Sequence, residues 1–121
     1  GTRQATGALP RGSSMVEEVS PAEVKQRIDD GTDTQIIDIR SPAQFERGHI
    51  PGARNIPLAE LPRRVDDVEW GDDVVVACPI GQSSIQAARL IGSYEGVDDD
   101  ASVKSMAGGY QSWSYDLETG D

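Results

Sequence analysis

The stretch Val74-Val75-Val76-Ala77-Cys78-Pro79-Ile80-Gly81-Gln82-Ser83-Ser84-Ile85-Gln86-Ala87-Ala88-Arg89-Leu90-Ile91 decides the fold. Its first four residues form a short apolar run rich in β-branched side chains, which reads as a buried strand. The run stops at Cys78-Pro79 and passes through a small polar turn. Apolar residues then resume at helical spacing, which predicts a helix to about Tyr94. A buried strand that feeds a tight turn and then a helix aims successive backbone N–H groups at one point. Cys78, the single cysteine of the chain, stands at that point. A thiol held there is stabilised as its anion, and the thiolate is the nucleophilic form. The bland alternative is a small buried hydrophobe, a common role for a free cysteine.

The remaining chain repeats the alternation of strand and helix. Ser20-Pro21-Ala22-Glu23 has the capping-box pattern of a helix start, with Val24 and Ile28 on one face and Gly31 as the stop. Gln35 to Ile39 reads as a strand, and Ser41-Pro42-Ala43-Gln44 opens a second short helix that Gly48 ends. A brief strand is expected at Ala53 to Ile56, and a weak helix from Leu58 to Val65, interrupted at Pro62. A last strand is read at Ala101 to Ser105, and Gly108-Gly109 opens a short helix containing Trp113. Such alternation predicts an α/β domain with a mainly parallel sheet and helices on both faces. In these sheets ligands bind beyond the carboxyl ends of the strands, where Cys78 falls.

Composition narrows the function. At 121 residues the chain is long enough for one domain with a real core. Residues 1–14 resemble an expression leader with a protease-cleavage linker and are expected to be disordered. The folded domain is then expected over residues 15–115, with 116–121 as a C-terminal tail. No apolar run reaches the length of a membrane span. One cysteine and one histidine exclude an internal disulfide and argue against a metal site, so a cytoplasmic location is the default. The formal charge is −10, carried by 13 Asp and 8 Glu against only two lysines, Lys25 and Lys104. This balance leaves no basic patch for nucleic acid. An Asp-rich, Lys-poor surface suits molar salt, where the Debye length shrinks to about 3 Å, and so predicts a halophilic archaeal source. High charge and few aromatics favour a monomer.

Three segments together resemble the rhodanese-like domain family, in its single-domain thiosulfate sulfurtransferase form. They are Asp38-Ile39-Arg40 with Gln44-Phe45 and Gly48-His49-Ile50-Pro51-Gly52-Ala53-Arg54-Asn55-Ile56-Pro57; the loop Cys78 to Ser84; and Gly108-Gly109-Tyr110 with Trp113. The resemblance covers roughly Val16 to Trp113. It implies a three-layer fold with a five-stranded sheet. It also implies a sulfurtransferase in which Cys78 takes sulfane sulfur from thiosulfate or a persulfide donor. The outer sulfur then passes to a thiol or cyanide, or to a thioredoxin-like or sulfur-carrier protein, without any cofactor. Substrate is expected to meet Pro79, Ile80, Gly81, Gln82, Ser83 and Ser84, with N–H groups of Gly81 to Ser84 around the sulfur.

Asp38, Arg40 and Gln44 are candidates for the rim or support of the pocket. For Asp38 and Arg40 the alternatives are a structural ion pair or added positive potential near the site. His49 is read as fixing a turn, and Tyr110 and Trp113 as packing. Ser83 stands where many family members carry Arg, and Gln44 where they usually carry Glu. Pro79 removes one N–H from the cradle. The related phosphatase branch needs a longer loop ending in Arg, which this chain lacks. The rival function is a catalytically weak or silent module that relays sulfur or binds and regulates a partner.

Overall fold

The computed structural model of the protein describes residues 16–98 and 100–120. The predicted leader lies outside the described residues. Five strands form one parallel sheet: β1 (Glu17–Val19), β2 (Gln35–Asp38), β3 (Arg54–Asn55), β4 (Asp73–Ala77) and β5 (Ser102–Met106), in the order β1-β5-β4-β2-β3. Helices α1 (Pro21–Asp30), α2 (Pro42–Arg47), α3 (Leu61–Arg64) and α4 (Ser83–Ser93) alternate with them. None of the described helices is long and apolar enough to cross a membrane.

Strand alternation divides the core between the two faces. On one side Ile37, Val74, Val76 and Cys78 pack with Leu61 of α3 and Ala87, Ala88 and Ile91 of α4. On the other, Ile36, Val75, Ala77 and Met106 pack with Val24 of α1, Ile50 and Trp113. Cys78 continues the alternation of Val74 and Val76 one step past the end of β4, so its side chain falls on the α4 side.

Most element boundaries match the sequence reading to within a residue or two. Ser20 accepts from the Glu23 amide while the Glu23 carboxylate accepts from the Ser20 amide, and Gly31 closes α1 in the left-handed region. Ser41 and Gln44 make the same reciprocal cap on α2. Three features differ. Pro62 opens α3 between two 3-10 turns instead of interrupting a longer helix, because its missing N–H is harmless in a first turn. The terminal helix is a single 3-10 turn, Gly109–Ser112, and Trp113 lies just beyond it. The residue pattern gave no sign of β1, a three-residue strand of which only Val19 is buried. It docks parallel to β5, with Glu17 beside Lys104.

The stretch set apart as a tail is tied to the body. Glu118 exchanges backbone hydrogen bonds with His49 at 2.8 Å in both directions, and the Gly120 amide donates to the Glu46 carbonyl.

Candidate functional site

Beyond the carboxyl end of β4 the chain turns sharply through Pro79 and Ile80 to Gly81, whose φ is +87°. Only glycine adopts this backbone readily. A side chain there would also collide with the Gly108 amide, 2.7 Å from an ideal Cβ. This turn brings the cysteine sulfur back under the first turn of α4. Cys78 is buried, and its Sγ accepts from the Gly81 amide at 3.0 Å and the Ser84 amide at 3.3 Å. The Ser84 hydroxyl lies 3.3 Å from the same sulfur. The residue preceding the helix, Gln82, makes no side-chain cap. The sulfur therefore occupies the place of a capping oxygen, serving an otherwise orphaned N–H of the first turn.

Burial alone would push the Cys78 thiol up. Hydrogen bonds from the Ser84 hydroxyl and amide and from the Gly81 and Ile80 amides outweigh it, leaving the thiol below its ordinary value. The α4 dipole, with a partial positive charge at this end, acts in the same direction.

The loop residues divide by position. Gly81 and Ser84 are buried, Ser83 is half-buried, and Pro79, Ile80 and Gln82 are exposed. Of the four amides expected around the sulfur, Gly81 and Ser84 bond to it. The Ile80 amide takes part unexpectedly, and Gln82 and Ser83 are not among the described donors. The Gln82 carbonyl instead receives the Ile85 amide.

A second segment braces the loop from behind. The Tyr110 amide donates to the Cys78 carbonyl at 2.8 Å, and the Gln111 amide to the Pro79 carbonyl at 3.0 Å. Gly109 lies so close that a Cβ there would stand 2.1 Å from the Cys78 carbonyl oxygen. The Gly108-Gly109 pair was visible in the sequence as the opening of a short helix. Its role as a backbone-on-backbone wedge was not.

Asp38 and Arg40 hold this wedge in place from the other face of the sheet. The buried Asp38 carboxylate accepts from the Arg40 guanidinium at 2.8 and 3.1 Å, the Arg40 amide, and the Tyr110 hydroxyl at 2.8 Å. The guanidinium lies over the Tyr110 ring, 3.5 Å from its centroid, and donates to the Gly48 carbonyl. Burial works against the Arg40 charge, but Asp38 more than restores it. Burial and then the Asp38 charge push the Tyr110 phenol up, keeping it a neutral donor. Tyr110 is thus a hydrogen-bonding strut as well as packing, accepting also from the Ile50 amide. Gln44 is exposed and serves the α2 cap.

His49 is buried, stacked on Phe45 at 3.7 Å with Nδ1 2.8 Å from the Phe45 carbonyl. It holds the α2 end and sits apart from the sulfur cradle's hydrogen bonds.

Neither of two surface concavities includes Cys78. One, of about 470 Å³, runs between α4 and the amino ends of β1 and β5 and is lined in part by Arg89. The other, of about 180 Å³, lies beside Arg27 and Thr34. Arg89 therefore faces a groove at the sheet end opposite the cysteine.

Comparison with known proteins bears on this arrangement. A family profile described as a Rhodanese-like domain matches residues 20–116. The chain is 32% identical over 101 residues to the thiosulfate sulfurtransferase GlpE of Pseudomonas aeruginosa, covering 84% of this chain and 86% of that one. It is 34% identical over 79 residues to the putative sulfur carrier protein YrkF of Bacillus subtilis, covering 65% of this chain but only 43% of that protein. Among solved structures, the human single-domain sulfurtransferase TSTD1 aligns with a TM-score of 0.65 at 26% identity, over 82% of this chain and 96% of that one.

Proposed function

The chain belongs to the rhodanese-like domain family, and from that premise we propose that it transfers sulfane sulfur through a persulfide on Cys78. The observation that carries this reading is the sulfur cradle: a buried thiol whose Sγ accepts two backbone N–H groups at the start of α4. In the first half-reaction the Cys78 thiolate attacks the outer sulfur of thiosulfate. An S–S bond forms to Sγ, the bond to the sulfonate sulfur breaks, and its electron pair leaves with sulfite. In the second, a cyanide or thiolate acceptor attacks the outer persulfide sulfur and the electron pair returns to Sγ. Charge balances in both steps, and no separate oxidant or reductant is consumed. The covalent intermediate predicts ping-pong kinetics.

The cradle suits both resting states. Backbone donors tolerate a thiolate or a persulfide at the same place, because they require only negative charge nearby. A dedicated base is unnecessary to the extent that the cradle already holds the thiol as its anion. The Ser84 hydroxyl is the only side chain hydrogen-bonded to the sulfur among the described residues; its oxygen accepts from the thiol, and a hydroxyl can turn to donate to the anion.

One observation favours a relay over thiosulfate turnover as the principal task. Ser83 puts a half-buried hydroxyl where an Arg would hold a dianion. A donor presented as a persulfide on another molecule needs less anion binding than free thiosulfate. The similarity to a named sulfur carrier supports the same view.

The test is intact mass after incubation with thiosulfate and, separately, with a small-molecule persulfide. The expected result is the gain of one sulfur atom from at least the persulfide, absent in Cys78→Ser. No gain from either donor would overturn the reading.

A further inference from the structure

A buried hydroxyl pair extends from the sulfur to the last strand. Ser105 lies on β5 beside Val76 of β4, on the face that carries Cys78. Its Oγ is 2.6 Å from the Ser84 Oγ, which in turn is 3.3 Å from the Cys78 Sγ. Both serines are completely buried. Burying two hydroxyls costs free energy unless each finds a partner, and here they find each other.

We propose that Ser105 is a positioning residue for sulfur transfer, acting on Cys78 only through the hydroxyl of Ser84. The purpose rests on the persulfide reading; the geometry does not. Ser84 faces opposite demands in two states. Beside a neutral thiol its oxygen accepts the S–H, so its own proton needs an acceptor. Beside a thiolate or persulfide its proton turns to sulfur, so its oxygen is left free to accept. A serine hydroxyl both donates and accepts. Ser105 therefore complements Ser84 in either state by rotating its own hydroxyl, with no proton transferred between the residues. In the anionic state Ser105 donates to Ser84 and Ser84 to sulfur, and each bond polarises and strengthens the next. Removing Ser105 thus weakens the anion more than the thiol.

Other charges do not substitute for this pair. Asp38 and Arg40, at the end of β2, are bonded to each other and to Tyr110 on the other face of the sheet. Arg89 on α4 lines the groove at the far end of the strands.

The experiment is the pH dependence of alkylation of the single thiol by iodoacetamide, which requires no sulfur donor. In Ser105→Ala, alkylation below the thiol midpoint is expected to slow about threefold to tenfold, the effect of one hydrogen bond. Above the midpoint the rate should be unchanged. Ser84→Ala should shift the profile further, and adding Ser105→Ala to it should change nothing more. The matched pair Ser105→Thr and Ser105→Val, alike in shape, repeats the test should the alanine variant not fold. Thr is expected to keep the wild-type profile and Val to lose it.

Superimposable profiles for Ser105→Ala and wild type would overturn the proposal. So would equal profiles for Thr and Val, or an undiminished shift from Ser105→Ala in the Ser84→Ala background. A wild type that alkylates as described yet gains no sulfur from any donor would overturn the function and leave the hydroxyl pair standing.

Discussion

At the scale of single residues, the protein turns a cysteine into part of a helix cap. Because the folded thiol lies below its ordinary value, the midpoint of wild-type alkylation is expected below the free-thiol value of about 8.5. The same shift affects stability. Between the two midpoints the unfolded chain binds more protons, so stability rises with pH there. The contribution is complete above the unfolded value and is lost as pH falls through the folded one. Comparing urea midpoints of wild type and Cys78→Ser across that range checks the sign. The wedge glycine gives a sharper test. Gly109 combines φ of +60° with a virtual Cβ on the Cys78 carbonyl. Gly109→Ala should cost at least about 1–2 kcal/mol for the left-handed backbone alone, with a further cost from the clash, and should abolish persulfide formation. An urea midpoint and a mass spectrum suffice. Cys78, Gly81 and Ser84 were legible in the sequence because strand, glycine and helix start are local signals. Ser105, the hydrogen bonds of Tyr110 and the Ile80 amide were not. They reach the site through strand register and loop curvature, which no local pattern encodes.

At the scale of elements, the helices were more legible than the strands. Ser20 and Ser41 declare helix starts through side chains three residues apart, and the structure uses both. Ser20→Ala should therefore cost about 1 kcal/mol, read as a shift in urea midpoint. β1 hid because two of its three residues are exposed glutamates; its identity depends on the edge of β5. A neighbouring feature also escaped the sequence. Lys104 on β5 is only 2% exposed and is bound to Asp73 of β4 and to the Ser102 hydroxyl and carbonyl. Asp73 also meets Arg27 at 3.3 Å. Asp73→Ala leaves the Lys104 ammonium buried without its carboxylate and should cost about 3 kcal/mol or more. Lys104→Met removes the buried charge while Asp73 keeps Arg27, so its cost should be well below that. Thermal or urea unfolding of the two variants decides the order, and the reverse order would contradict this account of the buried charge.

At the scale of the whole molecule, charge is the governing property. A formal −10 on 121 residues means self-repulsion at low ionic strength and weak attraction for anionic donors. Raising salt from about 0.1 M to about 1 M shortens the Debye length from about 10 Å to about 3 Å. Both melting temperature and the rate of persulfide formation from thiosulfate should rise over that interval, and a fall in both would contradict the high-salt habitat inferred from composition. Overall architecture was readable because alternating strand and helix signals constrain a parallel sheet strongly. The strand order was not, since it places the first strand beside the last. That pairing has a consequence for biosynthesis. Residues 17–19 wait for residues 104–106 before they can pair, and the cysteine loop waits for Gly109 and Tyr110. Contacts so distant in sequence form late. A nascent chain emerging from the ribosome therefore carries Cys78 as an ordinary, sluggish thiol, and chemical reactivity arrives only with the final turn of the fold.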